Sequence, residues 1–218
     1  MNIHQPFVIT VSREMGSGGR TIGRKLAAQL GVRFSDKDLI TALRAKYGLT
    51  TYEIEQIKAK KKNWLADMLE LVAPLPNNGA YISPSLPTGD PNLNRISQDD
   101  IFQTESEILK AIAAEGSCVL AGRSGFFVLK DHPNKLDIFI RAPKENRIRR
   151  VMDHQGLTRE QAETIIESVD KGREAYVKRY AGTSRYDCRN YDLVVNMENL
   201  SEDDAVAGIL KYIKHISR

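Results

Sequence analysis

The residues of this chain best suited to chemistry are glycines and arginines close to its start. The run Val8-Ile9-Thr10-Val11-Ser12-Arg13-Glu14-Met15-Gly16-Ser17-Gly18-Gly19-Arg20-Thr21-Ile22 places three glycines in four positions just after a short apolar stretch. A glycine turn that opens directly into a helix presents free backbone N–H groups and the positive end of the helix dipole, a combination that holds anions, phosphates above all. Glycine lets the backbone adopt positive φ and come close to a phosphate. The standard phosphate loop reads G-x-x-x-x-G-K-[ST]. With Gly18 as its second glycine, Arg13 stands at the first and Gly19 at the lysine. With Gly19 as the second glycine, Arg20 and Thr21 fill the K-[ST] pair and Glu14 replaces the first glycine. Both registers lack the lysine. Arg20 or Arg13 is left to supply its charge, through a planar fork instead of a compact point charge. Thr21, at the helix start, suits either a helix cap or a magnesium ligand. The bland alternative is an ordinary strand-to-helix turn.

Further arginines fall where a phosphate site would want them. Arg123 follows the apolar run Val119-Leu120, and Arg141 follows Ile140, so both sit at strand ends. Arg147, Arg149 and Arg150 lie on the next helical stretch, and Arg173, Lys178, Arg179 and Arg185 precede the last strand. A phosphoryl group in transfer spreads its charge over its equatorial oxygens, and fixed cations stabilise it. Arg147, Arg149 and Arg150 cover adjacent faces of one helix, so they cannot all face one site. Arg123 is the strongest candidate, because a strand-end position after glycine has little structural reason to be arginine. Among carboxylates, Asp36 and Asp38 follow the second strand, where charge at a helix N-terminus explains them as well as contact with an acceptor does. Asp170 and Arg173 form either a structural i,i+3 pair or a grip on a ribose hydroxyl and a phosphate. His4, His132, His154 and His215 make no triad or metal spacing.

These residues need a scaffold, and the pattern supplies one. Strands are expected at Phe7–Val11, Val32–Phe34, Ser117–Ala121, Leu136–Ile140 and Asp192–Asn196. Helices are expected at Thr21–Gln29, Asp36 to about Tyr47, Thr51 to about Val72, Ser97–Ala114, Lys144–His154, Thr158–Tyr180 and Glu202–Ile216. Thr158-x-x-Gln161 is a capping box, and Ser201 caps the last helix. The alternation predicts an α/β fold, a three-layer parallel sheet flanked by helices with ligands at the carboxyl ends of the strands. Pro74 to Ser97 is too long and too rich in Pro, Asn, Gly and Ser for a compact connection.

At 218 residues with 41% hydrophobic content, one domain with a real core is expected. The net charge of +4 and the pI near 9.0 suit phosphorylated small molecules as well as nucleic acid, and no long Lys/Arg tract decides for the latter. Scattered basic residues and 7% aromatics argue against a nucleic-acid-binding module. Lys60-Lys61-Lys62 reads as a solvated helix face. Cys118 and Cys188 match no metal or redox spacing, and Cys118 reads as plain core. With no signal peptide and no apolar run near 18 residues, a soluble cytoplasmic protein without membrane contact is expected.

The chain resembles the cytidylate kinase-like proteins within the P-loop nucleoside monophosphate kinases. The resemblance rests on Ser12-Arg13-Glu14-Met15-Gly16-Ser17-Gly18-Gly19-Arg20, Ala121-Gly122-Arg123, and Asp137-Ile138-Phe139-Ile140-Arg141-Ala142-Pro143 with its basic helix. Asp170-x-x-Arg173, Tyr180-Ala181-Gly182 and Asn190-Tyr191-Asp192-Leu193 complete it. It implies a single nucleotide-kinase-like domain over 1–218, with an acceptor-binding helical and loop region near 36–100 and a lid-like segment near 173–190. It implies ATP and magnesium as cofactors and nucleotides as substrates, with CMP or dCMP as acceptor; a homodimer remains open. On that model Arg13, Met15, Gly16, Ser17, Gly18, Gly19, Arg20 and Thr21 hold the donor phosphates, with Thr21 near the magnesium. Asp36, Asp38, Arg123, Asp170 and Arg173 meet the acceptor, and Arg20, Arg123, Arg173 and Arg179 carry the catalytic charge. Two departures stand out: cytidylate kinases carry Gly-Arg-Asp where this chain has Gly122-Arg123-Ser124, and their inserted acceptor domain is not recognisable in 49–97. A nucleotide-binding sensor without catalysis, or a kinase for another small metabolite, are the competing expectations.

Overall fold

A computed structural model of the chain describes residues 1–36, 48 and 97–217. The chain divides into two compact units, Met1–Leu39 with Ser106–Arg218, and Ile40–Glu105. The expected helices across 37–72, the segment 74–96, Asp38 and Lys60–Lys62 lie outside the described residues.

The elements, in chain order, are β1 (Val8–Arg13), α1 (Gly19–Leu30), β2 (Arg33–Ser35), α2 (Gln98–Ala114), β3 (Cys118–Ala121), α3 (Gly125–Val128), β4 (Lys135–Arg141), α4 (Lys144–Gln155), α5 (Arg159–Ala181), a 3-10 turn (Cys188–Asn190), β5 (Leu193–Asn196) and α6 (Glu202–Ile216). The strands form one sheet in the order β2-β3-β1-β4-β5. Every pairing is parallel, with Val11 opposite Ala121 and Arg13 opposite Ile140. β1 is therefore central, and the loops that follow β1, β3 and β4 open on one edge of the sheet, where ligands of such sheets collect. A central parallel strand is covered on both faces, which explains the unbroken apolar run Val8–Val11 around a single threonine.

One face is conventional core. Ile9, Val11, Val119, Leu136, Ile138 and Ile140 pack with Ile22 and Leu26 of α1 and with Val206, Ile209 and Ile213 of α6. The other face buries polar groups. Thr10 Oγ1 donates to Asp137 at 2.5 Å, and Lys135 Nζ donates to the same carboxylate at 2.5 Å and to the Phe126 carbonyl at 2.9 Å. Burial pushes the Asp137 carboxyl above its ordinary range, against the pull of Lys135 and Thr10. The Asp137 N–H in turn donates to Asp192 at 2.7 Å, which ties β4 to the start of β5.

Each strand and helix expected within the described residues is present, with ends shifted by a residue or two. The short helix α3 and the 3-10 turn are additions, because four- and three-residue elements carry too little periodicity to be read. Both expected caps form: Thr158 with Gln161 makes a reciprocal capping box, and Ser201 does the same with Asp204. Among the described residues no helix is long and apolar enough to cross a membrane. Thr158→Ala removes one of two reciprocal cap bonds and is expected to cost about 1 kcal/mol of stability, read from urea denaturation.

Candidate active site

The β1–α1 loop decides its own register. α1 begins at Gly19, and Gly18 is its N-cap in the left-handed region at φ 82°. Gly18 is thus the second glycine of the loop, Gly19 stands at the lysine position and Arg13 at the first glycine. No side chain caps α1. The N–H of Ser17 bonds the Glu14 carbonyl at 3.3 Å and that of Ile22 bonds the Gly18 carbonyl at 3.0 Å. Among the described residues the N–H groups of Gly16, Gly18, Gly19, Arg20 and Thr21 find no acceptor. A row of donors at a helix N-terminus with no acceptor among the described residues is suited to an anion.

The loop's carbonyls and one amide are held from behind. The buried Asp170 carboxylate accepts from the Met15 N–H at 3.0 Å, from Arg147 Nη1 at 2.6 Å and from Arg185 Nη1 at 3.1 Å. Arg173 Nη1 approaches it to 3.7 Å. Arg173 and Arg185 also donate to the Arg13 carbonyl, at 3.1 and 2.5 Å, and Arg147 donates to the Met15 carbonyl at 3.4 Å. Glu14 closes the other side by accepting the Ala142 N–H at 2.9 Å. The Met15 side chain packs on Ile148, Val151, Ala162 and Ile166 between α4 and α5. A Cβ added to Gly16 would lie 2.7 Å from the Arg147 carbonyl oxygen, so α4 presses directly on the loop.

Arg185 is 4% exposed, deep for a guanidinium. An aromatic cluster supports it. Its guanidinium lies 5.9 Å from the Phe139 ring centre and 5.2 Å from that of Tyr186. Tyr191 stacks on Phe139 with ring centres 5.0 Å apart, and its hydroxyl donates to the Arg185 carbonyl at 2.7 Å. Burial pushes that hydroxyl's pKa up to about 12.

Across the sheet edge, Gly122, Arg123 and Ser124 follow β3 with φ of 84°, 58° and 54°. Two successive non-glycine residues in the left-handed region are costly, and such strain concentrates where a side chain must be aimed. Arg13, partly buried, faces this turn. Its hold on its proton is weakened first by burial, then by the like charges of Arg173, Arg123 and Arg185, with Asp36 opposing. Guanidinium groups do not deprotonate at working pH, so this marks a desolvated guanidinium set among like charges.

The sequence-expected residues separate into groups. Arg13, Met15, Gly16, Ser17, Gly18, Gly19, Arg123, Asp170 and Arg173 meet around the loop and the β3 turn. Arg20, on the first turn of α1, pairs with Asp36, and its side chain is 56% exposed. Arg179 stacks over Tyr180 near the end of α5. The sequence offers Arg147 and Arg185 only as members of basic clusters and does not offer Glu14 as a site residue: their partners lie on other elements, and nothing local distinguishes Arg147 from Arg149 or Arg150. Arg149 lines, with Gly16, Ser17, Asn199 and Leu200, a cleft of about 380 Å³ between α4 and the β5–α6 loop.

A family model of the cytidylate kinase-like family matches residues 8–199, from the first strand to the loop before α6. The chain belongs to the cytidylate kinase-like family. A cytidylate kinase from Pyrococcus horikoshii is 27% identical over 211 residues, 96% of this chain and 90% of that protein. A cytidylate kinase from Methanopyrus kandleri is 34% identical over 107 residues, 45% of this chain and about half (55%) of that protein's length. Among solved structures, an uncharacterized protein from Eubacterium ventriosum superposes with TM-score 0.65 at 23% identity, covering 95% of this chain and 98% of the other. A shikimate kinase from Acinetobacter baumannii, solved with shikimate, gives TM-score 0.52 at 17% identity over 97% and 94% of the two chains. These likenesses establish the P-loop kinase fold, and the family supports a kinase of nucleotides or small molecules.

Within this cytidylate kinase-like site, Asp170→Ala leaves Arg147 and Arg185 without their shared buried carboxylate. A loss of about 3 kcal/mol or more is expected in urea denaturation, partly recovered by added phosphate. A loss under about 1 kcal/mol would show that Asp170 does not hold the loop.

Proposed function

We propose that the chain transfers the γ-phosphoryl group of ATP to a nucleoside monophosphate, with CMP and dCMP the leading acceptors. The observation that carries this reading is the set of loop amides, Gly16 and Gly18 to Thr21, that find no acceptor among the described residues, beside the like charges of Arg13, Arg123, Arg173 and Arg185. The names of the Pyrococcus horikoshii and Methanopyrus kandleri relatives favour a cytidine acceptor.

The donor's β and γ phosphates fit the amide row, which offers N–H groups at the positive end of α1. The 380 Å³ cleft beside Gly16 and Ser17 takes the donor nucleoside. Magnesium keeps several waters and uses one or two protein ligands together with phosphate oxygens, so a single hydroxyl beside the loop meets its needs. In the register set by Gly18 the hydroxyl position of the standard loop is held by Arg20, so the next residue, Thr21 in the first turn of α1, would supply that hydroxyl. The ion supplies charge neutralisation across the β- and γ-oxygens when bound.

Arg123 holds the acceptor phosphate from the β3 turn, and Arg173 approaches from α5. Asp36 and Asp38 contribute to the acceptor side. Arg20 and Arg179 add positive charge in this reading. Asp170 acts through Met15, Arg147 and Arg185, as a positioning residue. In the transfer, the P–O bond between the β-bridging oxygen and the γ-phosphorus breaks, leaving its electron pair on ADP. An oxygen of the acceptor phosphate forms the new P–O bond, and no proton needs to change hands. No covalent enzyme intermediate is required; alignment and fixed positive charge carry the rate.

Arg123→Ala is expected to lower kcat/KM at least about tenfold in a coupled ADP-release assay with CMP as acceptor. An unimpaired Arg123→Ala enzyme would remove Arg123 from the site. ATP binding by calorimetry without turnover on any monophosphate would replace the kinase reading with that of a nucleotide sensor.

A further inference from the structure

The loop lacks the lysine of the standard phosphate loop, and a cation from elsewhere must stand in its place. We propose that Arg13 is that cation. Its side chain leaves the end of β1, passes beneath the first residue of α1 and delivers its guanidinium to the terminal phosphate of a bound polyphosphate. This rests on the phosphotransfer reading only for the identity of the natural ligand.

The side chain of Arg13 lies in a trough floored by two glycines. A Cβ added to Gly19 would stand 2.5 Å from Arg13 Cβ and 3.1 Å from its Cγ. No side chain can occupy the lysine position while Arg13 is present. At the far end, a Cβ added to Gly122 would run into Arg13 Nη1. The stem therefore runs under α1, and the head rests on the β3 turn beside Arg123. Gly19 and Gly122 belong to different elements, so a chance glycine at one would not explain the other. Arg13 itself is the last residue of β1 in ordinary extended backbone, which removes any need for glycine there. The rival cation, Arg20, faces Asp36 and is mostly exposed. Arg13 is buried and shares its surroundings with the like charges of Arg173, Arg123 and Arg185, a combination that a bound anion relieves. Arg13 donates hydrogen bonds to the phosphate and keeps its own proton throughout.

The arrangement can be exchanged for the standard one. Arg13→Gly together with Gly19→Lys regenerates G-x-x-x-x-G-K in this loop. Affinity for inorganic tripolyphosphate, measured by calorimetry, is the primary readout, with thermal unfolding and turnover beside it. Arg13→Met is expected to weaken tripolyphosphate binding about tenfold or more, the scale of losing a charged hydrogen-bonding partner, and Arg13→Lys to retain part of it. Gly19→Lys alone is expected to lower both Tm and affinity, since its stem meets Arg13. The double variant is expected to recover affinity to within about threefold of the native chain, the coupling that residues in contact show. A folded Arg13→Met variant that binds as the native chain does, or a double variant no better than Gly19→Lys, would overturn the proposal. If Arg13→Met fails to fold, the comparison of Gly19→Lys with the double variant still decides. Arg13-dependent binding with no turnover on any acceptor would end the phosphotransfer reading and uphold the exchange.

Discussion

The site depends on one buried carboxylate. Asp170 bonds a loop amide and two arginines from different elements at once, so the loop between β1 and α1 is fixed before any ligand arrives. Burying an ionised carboxylate is expensive unless each of its lone pairs is used, and here Met15, Arg147 and Arg185 use them. The arginines recruited in this way do not spend all their donors on Asp170. Arg173 and Arg185 turn also to the Arg13 carbonyl, and Arg147 to that of Met15, so two loop oxygens are already bonded while the amides of Gly16 and of Gly18 to Thr21 find no acceptor among the described residues.

The sheet supplies the rest of the geometry. Because all pairings are parallel and β1 is central, the β1 loop, the β3 turn and the β4 exit meet on one edge. The polar face of the sheet extends the same logic. Thr10, Lys135, Asp137 and Asp192 lock β1, β4 and β5 together, and the Phe139–Tyr191 stack carries that rigidity to Arg185. An arginine 4% exposed is thereby held by these rings together with the Asp170 carboxylate that it shares with Arg147. Fixed cations that need no reorganisation are what stabilise a moving phosphoryl charge.

Much of the scaffold was legible in the sequence because its signals are local. Thr158 and Gln161 announce a helix start by spacing alone, and Phe7–Val11 reads as a short strand from its apolar run. The glycine loop was legible too, although its register was not. Choosing between Gly18 and Gly19 required the left-handed N-cap at Gly18, a backbone angle that residue types leave open. The members of the site that the sequence does not single out, Arg147, Arg185 and Glu14, are defined by partners distant along the chain. Arg147 and Asp170 are 23 positions apart, and Arg185 and the Arg13 carbonyl 172. No periodicity encodes such meetings. The role of Gly19 was hidden for a different reason: a missing lysine looks like a defect until the neighbouring side chain that fills its place is seen.

The central claim is that the amides of Gly16, Gly18, Gly19, Arg20 and Thr21 are kept open for phosphate oxygens. Its most direct test is an amide-resolved NMR titration of the whole chain with the magnesium complex of a non-hydrolysable ATP analogue. New hydrogen bonds to phosphate move amide protons downfield, so the largest shifts are expected at Gly16, Gly18, Gly19 and Arg20. The Met15 and Ser17 amides, already bonded to Asp170 and the Glu14 carbonyl, are expected to move least within the loop. Saturating binding that leaves the Gly16–Arg20 amides in place and shifts another part of the chain would contradict the claim.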